Sequence, residues 1–516
     1  MRLRALFVSV AIGLLFAGSL SAQTLGAVLT PGQETPPCAV TGFGNATVTF
    51  DAAQQNINVT ITVSNLGSPI TLSHIHEGPL GVAGGVRVNF VPPNTFTNGV
   101  MTGTFAVPDA ALVQRILQNP GNFYVNVHTA QCPGGHVRGQ LAFTSGGPIM
   151  YAAELRGSKE TPPNSSNAFG SSLVTLDSIN STLAFEVATS GISGPTASHI
   201  HRGAAGVAGP VIINFATSPA QFLNGRVSGS GAISTLQSSS FLASDLTALA
   251  SPSTANGFYV NVHSPAFPGG EIRGQLVPAQ EVDVPVAGHV TNGIGQTFIT
   301  DLRIFNPSFD TPATALVEFF PASNSANTNA TTSAAVNLPA RGTAVLNDVT
   351  GPSGLNVSGV GALRISSAAA ILATSRIFVN TNNGSFGQFV PAFSRANALR
   401  RGVMPQVSNS SAATAFRANL GLFNPNQSPV TVRLEARDPN GVVVASNTIT
   451  LQALSQQQNA IGVLFPGVDI SSSANLTVSF DASAAIFAYV SEVDNSSGDS
   501  FLISAQPDPG VAAQQQ

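Results

Sequence analysis

The sequence has 516 residues, too many for a single hydrophobic core, yet charged residues make up only 9% of it and the formal net charge is −4. A chain so poor in charge, with its single lysine at Lys159, has neither the basic stripe of a nucleic-acid binder nor a polybasic membrane patch. Its 50 Gly and 34 Pro, with almost no sustained helical periodicity, describe an all-β chain of short strands joined by turns.

At the N-terminus, Arg2 and Arg4 precede an apolar run over 5–18 that is too short to span a membrane comfortably. Small residues follow as far as Ala22, so 1–22 reads as a secretory signal peptide cleaved after Ala22. No later stretch reaches the roughly 18 uninterrupted apolar residues of a transmembrane helix. The mature chain is therefore expected outside the cytoplasm with no transmembrane segment: secreted, held at the cell surface, or periplasmic.

The first half of the chain is a tandem repeat. QETPPCAVTGFGNATVTF (33–50) returns as KETPPNSSNAFGSSLVTL (159–176), and LSHIHEGPLGVAGGVRVNF (72–90) as ASHIHRGAAGVAGPVIINF (197–215). NFYVNVHTAQCPGGHVRGQL (122–141) returns as GFYVNVHSPAFPGGEIRGQL (257–276). Each unit has the length of one domain and keeps the motif order. The best helix candidates are 108–118 in the first copy and 240–250 in the second. The E-x-P-P-like start, the H-I-H and Y-V-N-V-H segments and the P-G-G-x-[IV]-R-G-Q-L ending resemble the CHRD (chordin-type) domain. The resemblance covers 24–146 and 148–278, in the manner of exported bacterial proteins with tandem CHRD domains. It implies two β-sandwich domains; chordin's growth-factor antagonism does not transfer on domain resemblance alone.

Both cysteines fall in the first copy. Cys38 corresponds to Asn164 and Cys132 to Phe267, so the second copy lacks both together, as expected if they bond to each other in an exported protein. Seven of the eight histidines also fall in the repeated motifs: His74, His76, His128 and His136, then His199, His201 and His263. Where the first copy has His136 the second has Glu271, another metal-ligand type.

Alternate residues of a strand share a face. Phe123, Val125 and Val127 should point to the core, and Tyr124, Asn126 and His128 the other way. A hairpin of 122–128 with 136–142 sets His128 opposite His136 and Asn126 opposite Arg138. The second copy gives Tyr259, Asn261 and His263 against Glu271, Arg273 and Gln275. H-x-H puts two more imidazoles on one side of a strand, and three or four converging imidazoles would suit Zn or Cu. Two other readings stay open: a structural polar network under the Gly-rich GVAGG and GVAGP loops, and a metal-free ligand site. Glu34 with Arg138, and Glu160 with Arg273, are candidate Glu–Arg bridges of structural role within each copy.

The second half repeats separately. FITDLRIFNPS (298–308) matches FRANLGLFNPN (416–426), and 368–390 matches 482–504, giving two further Ig-like β-sandwich modules at 284–395 and 403–505 and a disordered tail at 506–516. No nucleophile elbow, H-E-x-x-H motif, P-loop or paired carboxylates stand out. The favoured reading is a non-catalytic exported binding or structural protein, with metal an open question, whose partner is an extracellular protein or surface ligand rather than nucleic acid. The alternative is a histidine-liganded metalloenzyme, because H-x-H on a sandwich strand is weakly similar to copper/zinc superoxide dismutase, although the further ligands of its zinc loop are missing.

Overall fold

A computed structural model describes residues 24–508, except 51–55, 79–81, 91–95, 108–109, 119–121, 144–147, 179–180, 251–254, 294, 328, 383, 468–469 and 471. The expected signal peptide at 1–22 lies outside the described residues. The chain divides into two compact units, Met1–Gly146 and Gly147–Gln516.

The first unit has nine strands among the described residues: β1 (Thr24–Leu29), β2 (Phe43–Phe50), β3 (Asn56–Ser64), β4 (Ile70–Glu77), β5 (Gly85–Asn89), β6 (Val100–Ala106), β7 (Phe123–Thr129), β8 (Val137–Gln140) and β9 (Ala142–Phe143). They form two antiparallel sheets, ordered β6-β3-β2-β1-β9 and β5-β4-β7-β8. One core lies between them. Val48, Ile57 and Val59 come from the first sheet, Ile75, Val125 and Val127 from the second, and Leu112 and Ile116 from the helix α1 (Ala110–Gln118). The alternation of apolar residues on β3 reappears as strict alternation of burial, which is the pattern of a strand with one face on a core.

The inner sheet behaves differently. All seven residues of β7 are buried, including Tyr124, Asn126 and His128 on the face away from the core. The expected polar face is thus not solvated but covered by loops, and Arg138 beside it is 1% exposed. The Cys38–Cys132 disulfide, with its Cα atoms 6.2 Å apart, ties two of these loops together. It closes a loop that the chain-entropy model values at about 4–5 kcal/mol.

The second copy repeats this plan with β10 (Ile149–Arg156), β11 (Phe169–Asp177), β12 (Thr182–Ser190), β13 (Ala197–Arg202), β14 (Val211–Ala216), β15 (Arg226–Ala232), β16 (Phe258–His263) and β17 (Ile272–Gln275). The two faces meet at the bridge of Arg156 with Arg273, as they do at Thr30 with Arg138 in the first copy, and run through β10 in the order β14-β13-β16-β17-β10-β11-β12-β15. A helix over Ala243–Leu249 falls within the expected 240–250. In place of the disulfide, the Asn164 side chain donates to the carbonyls of Gly270 and Glu271 at 3.1 and 3.0 Å. The residue at the cysteine position thus makes the same loop-to-loop tie by hydrogen bonds.

The C-terminal half holds two further antiparallel β-modules, with cores around Val284, Leu302 and Ile365 and around Leu420, Val432 and Val478, joined by a shared cluster that includes Phe320, Phe423 and Phe487. Their sheets start at Gln280 and Leu399, a few residues before the expected 284 and 403. The repeated F-N-P motif proves to be a loop staple. Buried Asn306 donates to the carbonyls of Thr311 and Leu338, and Asn424 to those of Ser428, Leu451 and Gln452. Gln506 and Pro507, expected in a disordered tail, pair instead with the strand at Gly402–Val403; 509–516 lie outside the described residues. Arg226 of the second copy pairs with Glu186 and donates to the carbonyls of Ala330 and Thr331, so copy and module are bonded to each other. Among the described residues no helix is long and apolar enough to cross a membrane.

Candidate metal centre

Register builds the site. β4 pairs with β7 so that His74 faces Asn126 and His76 faces Tyr124, and β7 pairs with β8 so that Asn126 faces Arg138. In the second copy His199 faces Asn261, His201 faces Tyr259 and Asn261 faces Arg273. Because cross-strand neighbours on one face lie close together, His74, His76 and His128 converge, as do His199, His201 and His263. Within each group one ring nitrogen per residue lies within 4.8 Å of the others.

Backbone carbonyls fix the ring tautomers. His76 donates from Nδ1 to the Gly84 carbonyl at 2.9 Å and His128 from Nδ1 to the Pro133 carbonyl at 2.9 Å. A carbonyl can only accept, so both Nε2 atoms keep a lone pair. His76 Nε2 is buried with no partner among the described residues, and His128 Nε2 lies 3.2 Å from His74 Nδ1. The second copy matches: His201 Nδ1 donates to Gly209 O at 2.8 Å and His263 Nδ1 to Pro268 O at 3.0 Å, while His201 Nε2 and His199 Nδ1 are buried without partners among the described residues. A ligating histidine typically has its other ring nitrogen held in this way.

Burial, then the neighbouring imidazoles, pushes His74 from 6.5 down to about 4 and His199 down to about 3. Burial likewise lowers His76, His128, His201 and His263. All six rings are therefore neutral near neutral pH, the form that binds metal.

Behind the histidines lies a second layer. Tyr124 stacks on His76, with centroids 4.8 Å apart, and the Arg138 guanidinium sits 3.5 Å above the Tyr124 ring. Tyr259 stacks on His201 at 4.7 Å under Arg273 at 3.4 Å. Arg138 also donates to Val82 O and Gln140, and Arg273 to Ala204 O, Val207 O and Gln275. Glu34 accepts from Asn126 Nδ2 at 3.4 Å. Arg138 and Arg273 act on the buried glutamates through space, while the hydrogen bonds of Arg273 go elsewhere than Glu160. Burial pushes Glu34 and Glu160 up to about 7, and each keeps one buried oxygen without a partner among the described residues.

The structure does not bring His136 or Glu271 to these clusters. His136 donates from Nε2 to the Thr41 carbonyl at 2.8 Å and accepts from the Thr129 hydroxyl at 2.8 Å; Glu271 accepts from Ser166 at 2.7 Å. The pairing register is as expected, but His136 precedes the first residue of β8 and follows Gly135 at φ +139°, so strand alternation does not reach it. What the sequence did not reveal are the carbonyl anchors. The Gly-rich loops held the signal: a Cβ on Gly84 or Gly209 would collide with the carbonyl of Glu77 or Arg202, so only glycine lets these loops close over the histidines.

The family model of the CHRD domain matches twice, over residues 25–141 and 151–276. The chain carries two CHRD domains in tandem. None of the curated proteins compared matches it. A solved structure described as that of Thermotoga maritima 1070 is similar at 10% identity over 97% of its own chain and 22% of this one, with a TM-score of 0.18, too low to carry any argument. The CHRD domains point to a binding or structural protein, and each histidine cluster lies inside one of them.

Proposed function

We propose that each CHRD domain binds one zinc or copper ion through its three histidines, and that the protein is an exported binding or structural protein without catalysis. One observation carries this reading. In both copies, neutral imidazoles held by backbone carbonyls sit against buried ring nitrogens that have no partner among the described residues: His76 Nε2 in the first, His199 Nδ1 and His201 Nε2 in the second. A purely structural network would pair those nitrogens, because an unpartnered buried acceptor costs about 1–3 kcal/mol. The disulfide and the CHRD domains support a location outside the cytoplasm. Two equivalent sites on one chain allow avidity toward a multivalent surface partner, with the C-terminal modules acting as spacers or adhesion units.

Elemental analysis of the purified chain without a His-tag, after dialysis against a weak chelator, should find about two metal equivalents, one per copy. Replacing His74 and His76 with Ala should leave about one. A wild-type chain that retains no metal would overturn the reading.

A further inference from the structure

The three histidines leave the fourth corner of a metal site to be filled by water, by an exogenous ligand or by the protein. We infer that Asn126 in the first CHRD domain and Asn261 in the second supply it through their side-chain oxygens, making each site a closed, four-coordinate zinc centre. The inference rests on the metal reading above and decides what that metal can do.

Placement comes first. Asn126 and Asn261 are each 2% exposed and lie directly across the strand pair from His74 and His199. They share a strand face with His128 and His263, two residues on. Asn261 Oδ1 lies 3.1 Å from His263 Nε2, and Asn126 Oδ1 is buried with no partner among the described residues.

Orientation comes next. The Glu34 carboxylate accepts from Asn126 Nδ2, and Glu160 engages the Asn261 amide in the same way. Turning either amide over would set its oxygen against a carboxylate. Gly135 and Gly270, at φ +139° and +130°, make room for these glutamates, because a Cβ at either position would collide with the carboxyl group. The charged carboxylate, the form that a bound dication favours, thus fixes the amide, and in the second copy the amide oxygen meets the His263 ring nitrogen.

The chemistry then follows. His263 gives its one proton to Pro268 O, so its Nε2 faces Asn261 Oδ1 lone pair to lone pair at 3.1 Å. Two acceptors at that distance call for a cation between them. Zinc bonds of about 2.0–2.2 Å in a tetrahedron separate neighbouring donors by about 3.3 Å. The 3.1 Å pair in the second copy and the 3.2 Å pair of His74 and His128 in the first are close to such edges. Drawing in the widest nitrogen pair, at up to 4.8 Å, takes a movement of about 1.5 Å, within reach of ring rotation. Three nitrogens and one oxygen at tetrahedral corners suit Zn(II) rather than Cu(II), which favours tetragonal sites. With no open position, the ion clamps the paired strands and offers nothing to a substrate.

The test uses the full chain loaded with Co(II) as a spectroscopic stand-in for Zn(II). The wild type should give the intense visible bands of tetrahedral cobalt and should not respond to azide. The N126A/N261A double variant should open a coordination position, shift those bands and respond to azide, with zinc affinity lowered about 10–100-fold. The Asn→Asp double variant keeps an oxygen toward the metal, with Glu34 and Glu160 protonated to donate to the other oxygen, and should again be silent to azide, which covers the case of an Ala variant that does not fold. A wild-type spectrum that shifts with azide, or an Ala variant whose spectrum matches wild type, would overturn the asparagine assignment while leaving the three-histidine site intact. A wild type that retains neither cobalt nor zinc would instead remove the metal reading and this inference with it.

Discussion

Replacing Glu34 with Gln in the metal-stripped protein should change stability in a pH-dependent way that can be worked out from the site. Burial pushes the Glu34 carboxyl from 4.5 up to about 7, against the opposing pull of Arg138 and the Asn126 hydrogen bond. A carboxyl with a raised folded-state pKa contributes stability that is fully present below 4.5 and is lost as pH rises through about 7. At about 1.4 kcal/mol per pH unit, that interval comes to about 3 kcal/mol. Gln carries no charge at any of these pH values and keeps an oxygen for Asn126. The E34Q variant should therefore match wild type near pH 4.5 and exceed it by about 3 kcal/mol at about pH 8. Urea denaturation followed by far-ultraviolet circular dichroism across this range reads the difference directly. Zinc should narrow the gap at high pH, because a nearby dication favours the charged carboxylate. A difference that does not vary with pH, or one that closes as pH rises, would refute the burial that raises the Glu34 carboxyl.

The H136A variant should lose about 1–3 kcal/mol of stability, because the Thr41 carbonyl and the Thr129 hydroxyl each lose a buried partner, yet it should keep the full metal complement. Loss of an equivalent would return His136 to the ligand set. Reducing the Cys38–Cys132 disulfide should loosen the loop whose Pro133 carbonyl holds His128. Metal affinity of the first copy should fall about 10-fold or more, as when a partner behind a ligand is lost, while the second copy, tied by Asn164, is unchanged. Equal loss from both copies would break the link between that loop and the site.

Much of the fold and the site is legible in the sequence because strands repeat every second residue. Alternation sorts Val125 and Val127 into the core and Asn126 and His128 onto the opposite face, and hairpin register sets Asn126 against Arg138. The cysteine pair is legible from its joint replacement in the second copy, and the disulfide follows it. Alternation stops being informative where strands end. His136 sits one residue before β8, after a glycine with positive φ, and its ring turns to Thr41. Cover of the polar face is legible only as one open reading of the Gly-rich loops, and the Gly84 and Pro133 carbonyls that hold His76 and His128 are not legible, since those loops carry no periodicity. The C-terminal residues escape for a related reason: Gln506 and Pro507 have the composition of an unstructured tail, and only the free edge at Gly402–Val403 makes them a strand.

The duplication separates what holds the domain together from what the domain holds. Around the two sites the supports differ in chemistry. A disulfide at Cys38 becomes a pair of amide hydrogen bonds at Asn164, and a histidine bridging Thr41 and Thr129 becomes a glutamate bonded to Ser166. Each exchange keeps the loop in place by different means, which is how structural contacts behave when only geometry matters. At the centre nothing is exchanged. Three histidines, an asparagine, a tyrosine, an arginine and a glutamate occupy the same register in both copies, with the same carbonyl anchors and the same stacking distances to within 0.1 Å. A polar network serving only stability would be open to the substitutions its surroundings accept, and apolar residues of similar volume would stabilise such a buried layer at least as well. Retention of the whole constellation, with His76, His199 and His201 each keeping a buried nitrogen and Asn126 a buried oxygen without a partner among the described residues, is the pattern that favours the proposed metal site over a network serving stability alone.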